Sequence, residues 1–160
     1  MFNSLEPLDI GTALPSITAL NQDGLLISFD EIFSQGTTLV YFYPKADTPG
    51  CTAEACSLRD GWEALRDGAG KKIQILGVSK DKPAAQKKFQ QKYQLPFDLI
   101  ADVDGKVAEA FCVPAIPIAG MSKRQSFLVQ DGKIIWSSLK AKTKEAAEEI
   151  QKALDITAYL

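Results

Sequence analysis

The sequence predicts an α/β fold in which a central mixed sheet is flanked by helices and preceded by a small β-hairpin. Three features predict it. Thr37 to Tyr43 is an unbroken β-branched and aromatic run, the pattern of a strand buried on both faces. From there to Phe111, strand-like runs alternate with segments of helical spacing, which places helices on the sheet. The chain then closes with a hairpin signature and an amphipathic helix. At 160 residues, 46% of them hydrophobic, it has material for one core, and a single domain over residues 1–160 is expected.

Taken in order, Pro15 to Gly24 and Leu25 to Ile27 read as two short strands around an Asp23-Gly24 turn. Phe29 to Phe33 is a single helical turn before Gly36. The central strand Thr37 to Tyr43 ends at Pro44. Thr48 to Leu65 carries Ala55, Leu58, Trp62 and Leu65 on one helical face and stops near Gly68 and Gly70. Ile73 to Val78 is the next strand. Lys82 to Tyr93 is a polar helix, with Pro83 in its first turn and Phe89 facing inward. Pro96 to Ile100 is a further strand and Gly105 to Phe111 a short helix. Val113 to Gly120, with two prolines and no period, is an apolar loop. Gln125 to Val129 and Lys133 to Ser137 flank Gln130-Asp131-Gly132 as a hairpin, and Thr143 to Leu154 closes the chain as a helix. A thioredoxin-like fold satisfies this order, with a flavodoxin-like fold as its geometric competitor. No Gly-x-Gly-x-x-Gly or Walker sequence follows a strand, which argues against a nucleotide site.

Composition narrows the chemistry. Eighteen basic and twenty acidic side chains are dispersed along the chain for a net charge of -2, which makes nucleic acid and anionic membrane poor partners. The first residues show no positive region followed by an apolar run, and no stretch approaches the roughly 18 apolar residues of a membrane span. A soluble cytoplasmic protein is expected. There is no histidine, which removes Ser-His-acid and Cys-His catalysis and His-containing zinc sites. The three cysteines, Cys51, Cys56 and Cys112, are an odd count in a chain that needs no staples. They read as reactive rather than structural, against the alternative that each fills a core gap.

The informative segment is Tyr43-Pro-Lys-Ala-Asp-Thr-Pro-Gly-Cys-Thr-Ala-Glu-Ala-Cys56, which leaves a strand end and enters a helix. With Thr48 as the cap and Pro49 in first position, Cys51 falls in the first turn, where free N–H groups and the positive helix end favour a thiolate. Cys56 lies five residues on. An α-helix separates such Cα atoms by about 8 to 9 Å, whereas a disulfide needs about 4.4 to 6.8 Å. The pair therefore cannot close while the helix is intact. A folded state would present Cys51 to substrate, and a locally unwound one would bring Cys56 to it, with Gly50 lending backbone freedom.

Pro44-x-x-x-Thr48-x-x-Cys51 resembles the signature of the peroxiredoxins. The longer Phe42-Tyr43-Pro44…Thr48-Pro49-Gly50-Cys51-Thr52…Glu54-Ala55-Cys56 is similar to the bacterioferritin comigratory protein branch, also called peroxiredoxin Q. The likeness continues through Ala101-Asp-Val-Asp-Gly105 and Arg124-Gln-Ser-Phe-Leu-Val129. The resemblance implies a thiol peroxidase for hydrogen peroxide and organic hydroperoxides, with Cys51 as the peroxidatic cysteine and Cys56 as the resolving one. Thr48 would hydrogen-bond thiolate and peroxide, Pro44 would shield the pocket, Arg124 would complete it, and Glu54 would orient Arg124. A thioredoxin or similar dithiol protein would be the reductant and the chain a monomer or weak dimer. No metal or organic cofactor is called for. Cys112 departs from the pattern, standing where relatives generally have Gly.

Two other functions fit a reactive cysteine pair. A thiol-disulfide oxidoreductase normally uses Cys-x-x-Cys, which this chain lacks. A non-enzymatic redox sensor or holdase would use the disulfide to change its surface.

Overall fold

The computed structural model describes residues 6–159; the ends of the expected domain, Met1–Leu5 and Leu160, lie outside the described residues. Its elements run β1 (Thr18–Asn21), β2 (Leu26–Ser28), α1 (Phe29–Ser34), β3 (Thr38–Phe42), α2 (Pro49–Gly61), β4 (Gln74–Ser79), α3 (Pro83–Tyr93), β5 (Asp98–Ala101), α4 (Lys106–Ala110), β6 (Gln125–Gln130), β7 (Lys133–Ser138) and α5 (Ala146–Thr157). The strands form one sheet in the order β2-β1-β5-β4-β3-β6-β7. β3 pairs parallel to β4 and β4 to β5, while β6 runs antiparallel to both β3 and β7. A flavodoxin-like sheet would be parallel throughout; this mixed order is thioredoxin-like.

All five residues of β3 are buried, and alternation sends its side chains into two cores. Leu39, Tyr41 and the following Tyr43 join Cys51, Ala55 and Leu58 of α2, Phe89 of α3, and Ile150 and Leu154 of α5. Val40 and Phe42 join Phe29, Phe33, Val107, Phe111 and Phe127 on the other face. Fully burying each such side chain stabilises the fold by about 1.5–3 kcal/mol. β4 meets Tyr41 with a glycine: a Cβ at Gly77 would stand 2.8 Å from the Tyr41 Cζ and hydroxyl atoms, so the ring lies across bare backbone.

Several boundaries differ from the sequence reading. The helix expected through Leu65 stops at Gly61, and Trp62–Ala64 continue as a 3-10 turn. Trp62 donates its indole N–H to the Ile73 carbonyl, and Ile73 N–H bonds Leu65, so both apolar residues reach the core after the helix has ended. The last helix starts at Ala146 rather than Thr143 and runs to Thr157. A turn from Ala146 N–H to Thr143 delays it, and the Ala147 N–H is taken by Ser57 of α2. Pairing of β1 with β2 begins at Thr18, not Pro15, and Asn21 organises the turn by accepting from the Asp23 and Leu25 N–H groups. Residues 11–14 lie along the start of β7, with Gly11 N–H bonded to Ile134, Ile134 N–H to Thr12 and Leu14 N–H to Gly132. Among the described residues no helix is long and apolar enough to cross a membrane.

Candidate active site

The site is assembled where β3 ends. Pro44, half-buried, turns the chain out of the sheet, and the next residues are fixed from α3 and from the loop before it. Ala46 donates its N–H to Asp81 Oδ2 at 2.8 Å. Asp47 takes the left-handed conformation, φ 59°, and its carboxylate is held by Lys92 Nζ and by the Tyr93 hydroxyl, each at 2.9 Å. Beneath the loop lies a buried polar relay: Tyr43 donates its hydroxyl to Gln86, and Gln86 Nε2 donates to Ser79 Oγ, which donates to Asp81. Burial pushes the Tyr43 phenol well up, so it stays a donor.

Thr48 occupies the N-cap position in extended geometry, Pro49 is first in the helix, and Cys51 sits in the first turn as expected. The Thr48 side chain does not cap the helix. Its hydroxyl donates to the Lys45 carbonyl at 2.8 Å, which leaves the oxygen lone pairs as acceptors. Cys51 is a free thiol, 1% exposed.

Arg124 arrives from the far side. Because Gln125 pairs with Phe42, the residue before β6 stands beside the end of β3. Its Nη1 donates to Glu54 Oε1 at 2.7 Å and its Nη2 to Cys51 Sγ at 3.4 Å. Gly50 leaves the room: a Cβ there would stand 3.0 Å from Nη2. Glu54 is buried, and desolvation pushes its carboxyl up to about 8 against the pull of Arg124. One edge of the guanidinium is thus held by Glu54 while the other faces the sulfur.

The structure thus brings Cys51, Arg124, Thr48 and Glu54 together at one helix start, with Pro44 at the entry to the loop. Cys56, half-buried and reduced, lies further along the same unbroken helix. Cys112 is elsewhere, just past α4, at φ 54°. The supports from Asp81, Gln86, Lys92 and Tyr93 are absent from the sequence reading. One signal for Gln86 was present, since it lies three residues before Phe89 on the inward face of α3.

The profile of the AhpC/TSA family matches residues 10–137. The chain belongs to the AhpC/TSA family. Within that family it is 43% identical over 109 residues to the peroxiredoxin bcp of Haemophilus influenzae, covering 68% of each chain. It is 35% identical over 125 residues to the chloroplastic peroxiredoxin Q of Oryza sativa subsp. japonica, covering 78% of this chain and 56% of that protein, so it spans little more than half of that relative. Among solved structures, peroxidoxin BcpB from Mycobacterium tuberculosis superposes with a TM-score of 0.80 at 26% identity, over 92% of this chain and 96% of the other.

Proposed function

We propose that the chain is a thiol peroxidase of the peroxiredoxin Q kind, reducing hydroperoxides with Cys51 and closing a disulfide to Cys56. The observation that carries this reading is the guanidinium of Arg124 placed 3.4 Å from a buried cysteine sulfur at a helix start. Cys51 reacts as its thiolate, and Arg124 and the first-turn N–H groups face that sulfur. That thiolate attacks the terminal peroxide oxygen; the O–O bond breaks, the sulfur becomes a sulfenic acid, and the departing oxygen leaves as water or an alcohol after taking a proton. Negative charge grows on that departing oxygen, where a fixed guanidinium counts more than in the ground state. Thr48, its own proton engaged by Lys45, accepts from the peroxide O–H and orients it, while Pro44 limits the entry of water.

The second half requires motion. Cys51 and Cys56 share a continuous helix, so α2 must open at its start before the Cys56 thiolate attacks the sulfenic sulfur, expelling hydroxide as water. A dithiol protein of the thioredoxin type then reduces the disulfide. The test is the intact mass of the wild type and of Cys51→Ser, Cys56→Ser and Cys112→Ser after one equivalent of hydrogen peroxide, with peptide mapping. The reading expects a loss of about 2 Da mapped to Cys51–Cys56 in wild type and Cys112→Ser, and a sulfenic acid at Cys51 in Cys56→Ser. An unmodified Cys51 would overturn the peroxidase reading, and a disulfide that needs Cys112 would overturn the choice of resolving partner.

A further inference from the structure

α2 must open for Cys56 to reach Cys51, so whatever holds α2 shut controls what happens to an oxidised Cys51. The last turn of α3 touches the cysteine segment on both sides. Upstream, Lys92 Nζ and the Tyr93 hydroxyl hold Asp47, four residues before Cys51. Downstream, Arg59, three residues after Cys56, donates its Nη1 to the Tyr93 main-chain carbonyl at 2.7 Å. One residue, Tyr93, therefore receives α2 through its carbonyl and grips the entry loop through its hydroxyl. Its position is fixed in turn by packing of its ring against Phe89, with centroids 5.6 Å apart.

Opening of the helix works against both contacts. The Arg59 bond depends on a helical backbone at Arg59, and residues 52–60 all lose helical bonds if the chain unwinds through Cys56. The Asp47 bonds hold a non-glycine residue at φ 59° in the loop that leads into the helix, and unwinding of the helix start would free that loop to relax away from them. Both sets of bonds thus favour the closed helix over the open one. We infer that the last turn of α3 is a latch on the Cys51–Cys56 segment, with Tyr93 and Arg59 as positioning residues that set how often α2 opens. The inference rests on the peroxidase reading above. Its consequence is a competition: a sulfenic acid held in the closed site awaits either opening and resolution or a second peroxide, which takes it to sulfinic acid.

The tests are Tyr93→Phe, which removes the hydroxyl and keeps the ring, and Arg59→Met, which removes the guanidinium and keeps most of the stem. The Tyr93 hydroxyl bond is exposed and the Arg59 bond half-buried, which sets the expected effect at about two- to fivefold in the opening equilibrium. In the reduced proteins, hydrogen exchange of the α2 amides speeds up by that factor while that of the α5 amides is unchanged. After a peroxide pulse, sulfenic acid forms at the wild-type rate, disulfide formation is two- to fivefold faster, and the peroxide concentration that half-converts Cys51 to sulfinic acid rises by the same factor. Arg59→Lys, which keeps one donor, recovers part of the effect. Exchange that speeds up equally in α5 reports general loosening and overturns the latch. So does unchanged or slower resolution in both variants when the wild type forms its Cys51–Cys56 disulfide normally. A wild type that forms no such disulfide overturns the peroxidase reading, and the latch with it.

Discussion

Gly50→Ala separates two roles that a helix-start glycine can play. The added methyl would stand 3.0 Å from Arg124 Nη2, with its next neighbour, Thr143 Cγ2, at an ordinary 3.8 Å. Carbon atoms rest at about 3.5–4.0 Å from such neighbours. The guanidinium must therefore give by about 0.5 Å, and its 2.7 Å bond to Glu54 resists displacement on that side. The movement falls on the bond to Cys51, already 3.4 Å long. A charge-assisted hydrogen bond contributes about 1.5–3 kcal/mol; losing half of it in the transition state slows attack on peroxide about four- to twelvefold. Folding stability moves the other way. Alanine at a helical position restricts the unfolded chain and adds about 0.4–1 kcal/mol, which for a chain of this size raises Tm by about 1–4 °C. Stopped-flow measurement of the second-order rate with reduced protein, paired with calorimetry, reads both quantities. A rate within twofold of wild type would refute the claim that Arg124 placement at Gly50 matters to the chemistry, and a lowered Tm would refute the packing argument.

Glu54→Gln keeps an acceptor for Arg124 and removes the titration. Burial holds the Glu54 proton up to about 8 in the folded protein against 4.5 in the unfolded one, so the stability it contributes is fully present below about pH 4.5 and lost as pH rises through about 8. The Tm of wild type relative to Glu54→Gln should fall steadily from pH 5 to 8.5; a flat difference would contradict the assignment. Cys112 occupies the left-handed position of a helix C-terminal motif, with its N–H bonded to Glu109 and that of Val113 to Ala108. Cys112→Gly should therefore stabilise by about 1 kcal/mol, a rise of about 2–4 °C in Tm, with peroxide kinetics unchanged. Gly77→Ala would push a methyl to 2.8 Å from the Tyr41 ring and 2.9 Å from Leu99. Overpacking of this kind costs about 1–3 kcal/mol, and a denaturant midpoint equal to wild type would show that β4 can yield.

The parts of this molecule that local pattern controls were legible in the sequence. Thr37 to Tyr43 reads as a doubly buried strand because its residues are all β-branched, aliphatic or aromatic and none is charged before the chain turns out at Pro44, and the Thr48-Pro49 start places Cys51 in the first turn on helix chemistry alone. What escaped was set by partners distant in sequence. Trp62 and Leu65 keep the apolar spacing of α2 after the helix has ended, because Ile73 supplies bonds that the sequence does not advertise. The Arg124 position seventy residues from Glu54 was reached through family resemblance, since an arginine at a strand start is ordinarily a solvated one. Thr48 looked like a cap from its type and place, yet the tight loop turned its hydroxyl to Lys45. Gln86 shares the inward face of α3 with Phe89, but its burial as an amide depends on the Tyr43 hydroxyl, Ser79 and the Ile100 carbonyl, partners remote in sequence.

The strip formed by residues 11–14 along β7 bears on how the protein behaves when crowded. A sheet that ends in unpaired N–H and C=O groups invites another chain to continue it. Here the start of one outer strand is already answered by the chain itself, with Ile134 engaged through both its N–H and its carbonyl. A second copy approaching that end must first strip away bonds worth keeping. The opposite margin, β2, offers only the three residues Leu26–Ser28 as a template. Fibre-like growth through the sheet is thus disfavoured at both margins.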